Sequence, residues 1–463
     1  MKRNFNITIL LAIFAILLFG SSPVCAAAKE SKIAESAIGR NDDSGFAKKC
    51  EDGGLNFADN GKPRKSTDPV IGTKRRPDPA MERTIKVNTH PAERYMQRNL
   101  DYGMTIGIER TRGGRIWVCW VAGGDDSDAY FLLAWSDDGG DTWTDTKAVI
   151  DPHDKRLSEN RRTIVGNLWC DPDGRLWLFY DVAMTYYDGR GGTWATVCDN
   201  PDAKRPRWSK PQYIGVGFTL NKPTVLSNGE WALPQSLWER GVIDAILDKG
   251  RKENIYNDAY HELDSLRSAN VFISGDKGKT WALYKGVAVP GARHDENMIV
   301  ELKDGTLQMT IRSKAGFIYR TLSTDKGRTW SAPEEWQPHV NSRHFIRRLS
   351  DGRLLLIRHG MTDKKLKGRS HMRAFLSDDD GRTWRGGLLL DERKGISYPD
   401  GFESPDGYIY ISYDRNRSKD GEILLARFTE QDILDKKISS PRGVLKQIIC
   451  TPGRIKTHRS KTR

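Results

Sequence analysis

The sequence predicts an all-β fold, a six-bladed β-propeller of four-stranded antiparallel sheets, and two repeated patterns support this prediction. One is the eight-residue pattern Ser-x-Asp-x-Gly-x-Thr-Trp, and the other is a glycine turn that opens into an apolar strand. The length of 463 residues would by itself suggest about three domains. Repeated units of this kind cannot bury their apolar faces alone, however, so the repeats indicate one closed ring instead.

Each copy of the eight-residue pattern has the composition of a tight hairpin turn. Its Asp can accept hydrogen bonds from backbone N–H groups of the turn, its Gly supplies a positive φ, and its Trp covers the base of the hairpin. These roles are structural, so the pattern predicts fold and not activity. A degenerate copy begins at Cys198 and runs to Trp208. The four complete copies are residues 136–143, 274–281, 323–330 and 377–384.

The glycine turns set the number of blades at six. Neighbouring turn glycines lie 47 to 76 residues apart, an interval that suits one four-stranded antiparallel sheet per repeat. Each turn is followed by an apolar strand, as in Leu176-Trp177. The six turn glycines are Gly114, Gly174, Gly229, Gly305, Gly352 and Gly407.

The remaining segments divide the chain into regions. Residues 1–26 combine basic residues, an apolar stretch and small residues, as in a cleavable secretory signal, so the protein is expected to be exported to a periplasm or out of the cell. No other stretch is apolar and long enough to span a bilayer. The predicted regions that follow are a polar extension at 27–95, the propeller at 96–440 and a basic tail at 441–463.

Two segments outside the regular repeats carry further predictions. Residues 84–89 alternate in polarity and predict a strand added to the ring. Residues 237–269 form the longest excursion between repeats, with a possible helix around 242–247. This excursion is read as a solvated insertion, with a lid over the propeller mouth as the alternative.

The net charge of +13 limits the classes of partner. It favours solubility first and, as the alternative, attraction to an anionic polysaccharide. Nucleic acid is not expected, since an exported chain with no recognised binding motif lacks the features of such a protein. No cofactor or metal is expected either, because no Cys/His spacing has the form of a zinc site. The oligomeric state stays open.

Polar residues just before the glycine turns are candidates for one shared pocket. The inner strands of all blades converge on the propeller axis, and pockets with convergent polar groups commonly bind ligands. The residues selected in this way are Asn167, Asn221, Lys222, Asp295, Glu296, Arg343, Arg347, Tyr398 and Asp400.

Around these residues, from about 102 to 429, the chain resembles the sialidase superfamily, whose six-bladed propellers carry the same eight-residue pattern. The stretch from Glu296 to Arg312 is similar to the family's catalytic Glu followed by an Arg at the end of the next strand. Arg369-Ser370-His371-Met372 resembles the family's Arg-Ser-Asn-Leu segment. Ser397-Tyr398-Pro399-Asp400 resembles its Tyr-Ser-Asp motif.

The resemblance implies a tyrosine nucleophile, Tyr398, with Glu296 as its base. An anomeric carbon that carries a carboxylate repels an anionic nucleophile, so a neutral phenol that loses its proton to a carboxylate is the better attacker. Arg312 and Arg369 are assigned to the acid group of the substrate, because guanidinium groups bind carboxylates bidentately. Asn167, Asn221, Lys222, Arg343 and Asp400 are the further candidates for substrate binding.

The general acid of the family is an Asp in a loop of the first blade. Counting back from the first eight-residue pattern favours Asp125, with Asp126 and Asp128 as alternatives. One family feature is missing, since sialidases open the first blade with the first of three arginines, in an Arg-Ile-Pro segment. Here residues 104–107 read Met-Thr-Ile-Gly, and the arginines considered as substitutes are Arg110 and Arg343.

The leading functional hypothesis is an exported exo-glycosidase of the sialidase superfamily. It would hydrolyse a terminal acidic sugar, sialic acid or a similar one, with retention and without a metal. Two alternatives stay open. One is a propeller that binds anionic glycans without turnover, and the other is a different carbohydrate-active enzyme, such as a lyase, on the same scaffold.

Overall fold

The computed structural model describes residues 58–59, 62–63, 83–243, 256–361, 366 and 368–455. These residues form six antiparallel sheets of four main strands, and within each sheet the strands pair in the order in which they follow along the chain. The predicted six-bladed β-propeller is thereby confirmed. The signal segment, residues 456–463 of the basic tail and nearly all of the N-terminal extension before residue 83 lie outside the described residues. No described helix is long and apolar enough to cross a membrane.

The first three blades each run from an inner strand to an outer strand. In blade 2 a further short strand, Arg161–Arg162, pairs with the end of the second strand. Blade 1 contains Met104–Arg110, Ile116–Ala122, Tyr130–Ser136 and Ala148–Ile150; blade 2 contains Gly166–Cys170, Leu176–Met184, Gly192–Cys198 and Gln212–Val216; blade 3 contains Thr224–Val225, Trp231–Ser236, Ala269–Ser274 and Ala282–Val287.

The last three blades repeat this order. The sixth blade extends past residue 440, where the sequence-based boundary lay, because its outer strand follows a short α-helix, Glu430–Asp435. Blade 4 contains Met298–Glu301, Leu307–Ile311, Phe317–Ser323 and Glu334–Pro338; blade 5 contains Phe345–Arg348, Leu354–His359, Met372–Ser377 and Arg385–Asp391; blade 6 contains Ile396–Glu403, Tyr408–Arg415, Glu422–Thr429 and Val444–Cys450.

The remaining described elements are short. Two-residue strands Ala58–Asp59 and Lys62–Pro63 pair with each other. The segment predicted as an added strand makes one bridge, between Asn88 and Val149 of the outer strand of blade 1. The helix predicted around 242–247 lies mostly outside the described residues. The 3-10 helices are Glu93–Tyr95, Gln97–Asn99, Arg240–Val242 and His261–Leu266.

Both repeated sequence patterns take the predicted turn geometry. The six turn glycines join the inner strand of each blade to the second strand, and their φ angles lie between 79° and 102°. The eight-residue patterns join the third strand to the fourth in blades 1, 3, 4 and 5. In the first copy, Gly140 N donates to Ser136 Oγ at 2.8 Å and Thr142 N donates to Asp138 Oδ1 at 2.9 Å. The glycine of this copy packs on Leu425 of blade 6, at the contact that closes the ring.

The apolar core lies between neighbouring blades. Strand Ile116–Ala122 is buried along its whole length, as expected for a sheet that is covered on both faces. Between blades 2 and 3, the rings of Trp169 and Trp231 meet edge to face with centroids 4.7 Å apart. Because each buried aromatic side chain removes a large apolar area from water, these contacts stabilise the ring of blades.

Candidate active site

A tyrosine and a glutamate from different blades meet near the propeller axis. Tyr398, in the inner strand of blade 6, donates a hydrogen bond from Oη to Glu296 Oε1 at 2.5 Å. Glu296 lies just before the inner strand of blade 4, which begins at Met298. Both side chains are buried. The ring of blades thus brings together two residues that are 102 positions apart in the sequence.

The backbone at both residues lies in the left-handed region. Tyr398 has φ 56° and Glu296 has φ 45°. At Tyr398 the pairing between the first two strands of blade 6 also shifts in register. Asp295, the neighbour of Glu296, has φ 56°. Non-glycine residues in this region cost about 1 to 3 kcal/mol each, and they persist where the surrounding structure holds them. This conformation directs both side chains to the same place.

Arg312 joins this pair through the hairpin of blade 4. In that hairpin Met298 pairs with Thr310, so Arg312 lies opposite Glu296. Its Nη1 donates to Glu296 Oε1 and, at 3.2 Å, to Tyr398 Oη. Its Nε donates to Asn341 Oδ1 at 2.9 Å.

Arg369 approaches the same tyrosine from blade 5. Its guanidinium carbon lies 5.7 Å from the centroid of the Tyr398 ring. It donates to neutral acceptors, the carbonyl oxygen of Asn341 at 2.9 and 3.1 Å and Ser397 Oγ at 3.2 Å. No carboxylate among the described residues lies within ion-pair distance of this arginine, so its charge is the one most available to an anionic ligand.

Of the three aspartates in the first-blade loop, Asp125 contacts Arg417, whose guanidinium lies over the Tyr398 ring. Its Oδ2 accepts a hydrogen bond from Arg417 Nη1 at 3.3 Å, and its side chain is 45 % exposed. Asp126 accepts from the backbone N–H of Asp128 at 2.9 Å. Asp128 accepts from Asn160 Nδ2 at 2.9 Å. The structure therefore favours Asp125 over its two alternatives by position.

Arg417 is a site residue that the sequence reasoning missed. It lies in the loop between the second and third strands of blade 6, and its guanidinium carbon is 4.1 Å from the centroid of the Tyr398 ring. Its Nε donates to Asp414 Oδ1 at 3.1 Å. The only sequence signal at this position was a short Asn-Arg-Ser pattern, which does not indicate a binding role. We call Glu296, Arg312, Arg369, Tyr398 and Arg417 the tyrosine cluster.

The two arginines considered as substitutes for the missing first-blade arginine lie elsewhere. Arg110 ends the inner strand of blade 1 at the glycine turn, where its Nη1 donates to the carbonyl oxygen of Thr111 at 3.3 Å. Arg343 is buried on the axis and donates to Asp400 Oδ1 at 3.0 Å. Neither arginine has a hydrogen bond or ring contact with Tyr398 in the described part of the chain, so the structure does not bring these two considered substitutes into the cluster.

Five residues predicted to bind substrate lie instead in a buried network closer to the glycine turns. Asp400 is its centre, since Oδ1 accepts from Asn167 and Arg343, and Oδ2 accepts from the backbone N–H of Ile108 and pairs with Lys222 at 3.1 Å. All five are at most 5 % exposed and are bonded to other protein groups, so they support the site and do not line it. We call this set the axis layer: Asn167, Asn221, Lys222, Arg343 and Asp400.

The axis layer holds the backbone of the cluster. Asn221 Nδ2 donates to the carbonyl oxygens of Glu296 and Asn297 at 3.1 and 2.7 Å. Its Oδ1 accepts from Arg343 Nε at 2.8 Å. Since Asp400 follows Tyr398 by two residues, this chain of side chains connects the strand of the tyrosine to the backbone of the glutamate.

The electrostatics of the cluster keep the glutamate charged and the tyrosine neutral. Burial would raise the pKa of Glu296, but Arg312, His294 and the hydrogen bonds outweigh it and lower that pKa to about 2. Burial, together with the charge of Glu296, raises the pKa of Tyr398 against the opposing effect of the arginines. Burial raises the pKa of Asp295 to about 8, with a further rise from Glu239 and Glu296. The arrangement is thus a neutral phenol donating to a carboxylate.

Aromatic side chains stand beside the cluster. His294, two residues before Glu296, packs on Trp238 with ring centroids 4.8 Å apart. Tyr186 lies 5.9 Å from Trp238 and contacts His294 Nε2 at 3.4 Å through its hydroxyl. Burial, with the nearby charge of Arg312, lowers the pKa of His294 to about 3, so this wall is uncharged near neutral pH.

Comparisons with known proteins place this propeller in the sialidase superfamily. A profile of the family described as BNR repeat-like domain matches residues 114–411, which is more than half of the chain. The protein belongs to this family.

Curated relatives include a sialidase from Paraclostridium sordellii, 28% identical over 232 residues that cover 45% of this chain and 51% of the relative. An anhydrosialidase from Macrobdella decora is 24% identical over 253 residues, or 50% of this chain and 29% of the relative. The chain therefore spans about half or less of the length of these relatives, and similarity of this extent identifies a sialidase-like protein at the family level.

Solved structures agree on the fold. A leech intramolecular trans-sialidase, in complex with 2,7-anhydro-Neu5Ac, aligns with a TM-score of 0.55 at 14% identity, covering 73% of this chain and 70% of the other. The intramolecular trans-sialidase from Ruminococcus gnavus, in complex with oseltamivir carboxylate, aligns with a TM-score of 0.55 at 15% identity, covering 74% and 97%. At such low identity these likenesses concern the fold alone.

Proposed function

We propose that the protein is a sialidase-like glycoside hydrolase that removes a terminal acidic sugar by way of a tyrosine nucleophile. The observation that carries this proposal is the 2.5 Å hydrogen bond from Tyr398 Oη to Glu296 Oε1, with the guanidinium groups of Arg369 and Arg417 near the ring. A buried phenol beside a charged carboxylate is the arrangement needed for an activated oxygen nucleophile. The name of the curated relative from Paraclostridium sordellii, a sialidase, supports the same reaction class.

In the first step the Tyr398 oxygen attacks the anomeric carbon and its proton passes to Glu296. The bond from the anomeric carbon to the leaving oxygen breaks, and protonated Asp125 donates its proton to that oxygen. In the second step Asp125 takes a proton from water as the water oxygen attacks the anomeric carbon. The bond from that carbon to the Tyr398 oxygen breaks, and Tyr398 recovers its proton from Glu296. Two displacements at one carbon give retention of configuration.

The acid group of the sugar is assigned to the guanidinium groups. Arg369 has only neutral acceptors among the described residues, so it is the main anchor for a carboxylate. Arg312 already pairs with Glu296 and adds a second cation beside the phenol. The partly exposed ring of Tyr186, which packs on the buried Trp238, offers an apolar surface to the rest of the sugar.

The test is release of a fluorogenic leaving group from sialic acid, extended to a panel of related acidic glycosides. Tyr398→Phe removes the attacking oxygen and is expected to abolish release. Glu296→Gln removes the proton acceptor and is expected to lower kcat by about 10²- to 10⁴-fold. Both variants are expected to remain folded by circular dichroism.

A matched control is available in the same blade. Tyr413 is also buried and donates to a carboxylate, Asp391 Oδ2, at 3.2 Å, but it lies outside the cluster. Tyr413→Phe is expected to keep the turnover of the parent. Turnover by Tyr398→Phe at the parental rate would exclude the tyrosine mechanism. A parent that binds the acidic sugar and releases nothing would be a glycan-binding protein, and a product with ultraviolet absorbance from an unsaturated sugar would indicate a lyase.

A further inference from the structure

We propose that Arg417, in a loop of blade 6, is a specificity-determining residue that supplies to the acid group of the substrate the cation that blade 1 lacks. This inference rests on the proposed function, because it assumes that the site takes an acidic sugar. The inference goes beyond the proposed function because it assigns recognition of the acid group to a residue of a different blade. No sequence pattern marks that position as a binding residue.

The first support is the place of Arg417 in the ring. Blades 1 and 6 are neighbours where the ring closes, and the carbonyl oxygen of Arg417 accepts from the backbone N–H of Gly103 at 3.0 Å. Gly103 immediately precedes the inner strand of blade 1, which begins at Met104. The loop of blade 6 therefore lies on the segment where the sequence lacks an arginine, and its guanidinium projects over Tyr398 at 4.1 Å.

The second support is the unused hydrogen-bonding capacity of this side chain. Its Nε is bonded to Asp414 and its Nη1 to Asp125, while its Nη2 is buried and has no hydrogen-bond partner among the described residues. Glu296 Oε2 shares this property on the other side of the phenol. A buried guanidinium N–H without a partner is costly, and such groups are retained where a ligand can complete them.

The third support is the charge around the tyrosine. Arg312, Arg369 and Arg417 provide three positive charges, and the buried carboxylates that pair with them are Glu296 and Asp414. The one cation in excess of these two buried carboxylates matches a ligand with a single carboxylate, and Asp125, the other carboxylate on Arg417, is 45 % exposed. The guanidinium fork can bind that carboxylate through two parallel hydrogen bonds, which an ammonium cannot do.

The contact with Asp125 gives Arg417 a second effect. Asp125 is the candidate acid, and Arg417 is its ion-pair partner among the described residues, at 3.3 Å. A ligand carboxylate on Arg417 competes with Asp125 for the same guanidinium. Recognition of the acid group thereby releases the Asp125 carboxyl from its contact with Arg417 and leaves it available to the leaving oxygen.

The test compares the affinity for sialic acid with the affinity for its methyl ester, measured by calorimetry on the full chain. The parent is expected to prefer the acid. Arg417→Met keeps the apolar stem and removes the charge, so the preference is expected to fall by about 10- to 100-fold. Arg417→Lys keeps the charge without the fork and is expected to lie between the two. If the Met variant does not fold, the Lys variant still gives the measurement.

The matched control is Arg415→Met, a change at the start of the same loop. Arg415 pairs with Asp420 and Glu422 and does not contact Tyr398, so its loss is expected to leave the preference unchanged. The inference is overturned if the Arg417 variants keep the parental preference, or if Arg415→Met loses it equally. A parent that binds neither the acid nor the ester would instead contradict the proposed function itself, so the two failures are distinguishable.

Discussion

The tyrosine cluster and the axis layer are two polar regions that the same inner strands place one beneath the other on the propeller axis. Both contain buried side chains, and both contain an arginine paired with a carboxylate. In the axis layer no buried side-chain polar atom lacks a partner within the described residues, whereas in the cluster Glu296 Oε2 and Arg417 Nη2 do. Burial and charge therefore do not separate a binding site from its support. What differs between these two regions is the hydrogen-bonding capacity that is left over.

The two regions also differ in backbone conformation. Tyr398 and Glu296 have positive φ angles, and no axis-layer residue does. The axis layer supports the strained backbone of the tyrosine cluster, since Asn221 donates a hydrogen bond to the carbonyl oxygen of Glu296. A functional geometry that local preference disfavours is thus maintained by a fully bonded network beneath it.

The largest expected effect comes from breaking the axis layer at its charge pair. Arg343→Met leaves the buried Asp400 without its guanidinium partner, which is expected to lower the free energy of unfolding by about 3 to 5 kcal/mol. Denaturant unfolding measures this loss. Arg320→Met, which removes an exposed ion pair with Glu334, is the control and is expected to cost about 1 kcal/mol or less. Equal losses in the two variants would mean that the axis layer is not a supporting network.

The next expected effect separates support from positioning within the axis layer. Asn221 and Asn167 are both buried asparagines in this layer, but only Asn221 bonds to the backbone of Glu296. Asn221→Ser and Asn167→Ser are each expected to cost about 1 to 3 kcal/mol of stability. Only Asn221→Ser is expected to lower kcat, by about 10-fold or more with KM little changed, because it releases the base from its position.

Steady-state kinetics beside thermal unfolding distinguish these outcomes. A merely structural role for Asn221 would give both variants the same kcat at matched stability. Asn221→Asp keeps an acceptor for Arg343 but removes the N–H that donates to the carbonyl oxygen of Glu296. It is therefore expected to resemble Asn221→Ser in kcat.

Much of this architecture could be predicted from the sequence, because its determinants are local and repeated. The glycine turns and the eight-residue patterns encode hairpins within single blades, and the six glycine turns set the number of blades in the ring. The pairing of Tyr398, Glu296, Arg312 and Arg369 was expected from family resemblance, and the structure brings these four side chains together.

The division into two layers could not be predicted from position before a turn. Tyr398 and Asp400 are two residues apart on one strand, so they lie about 6 to 7 Å apart along it. That distance places one in the cluster and the other in the axis layer. Position before the glycine turn identifies both Tyr398 and Asp400 as pocket candidates. It does not show which of the two regions retains unused hydrogen-bonding capacity.

Arg417 could not be predicted for a different reason. Its role arises from the closure of the ring, which brings a loop of blade 6 onto the start of blade 1. No local pattern around residue 417 encodes that contact. The family resemblance marked a first-blade arginine as missing, and the substitute that we propose is identified only by the spatial neighbours of that strand position.

The smallest expected effect sharpens the comparison within the site, at two adjacent carboxyls with opposite pKa shifts. Burial raises the pKa of Asp295 to about 8, so the folded state holds a proton that the unfolded state releases, and stability is lost as the pH rises toward 8. The arginine-dominated environment lowers the pKa of Glu296 to about 2, so its contribution is present above about pH 4.5 and is lost as the pH falls toward 2.

Amide substitutions separate the two carboxyls by the sign of their pH dependence. Asp295→Asn is expected to gain stability relative to the parent as the pH is raised from 4 to 8. Glu296→Gln is expected to be less stable than the parent near neutral pH and to approach it as the pH falls below about 4.5. Denaturant unfolding from pH 3 to 9 gives both curves. Parallel curves for the two variants would show that the strained backbone, and not the arginine arrangement, determines the stability of the site.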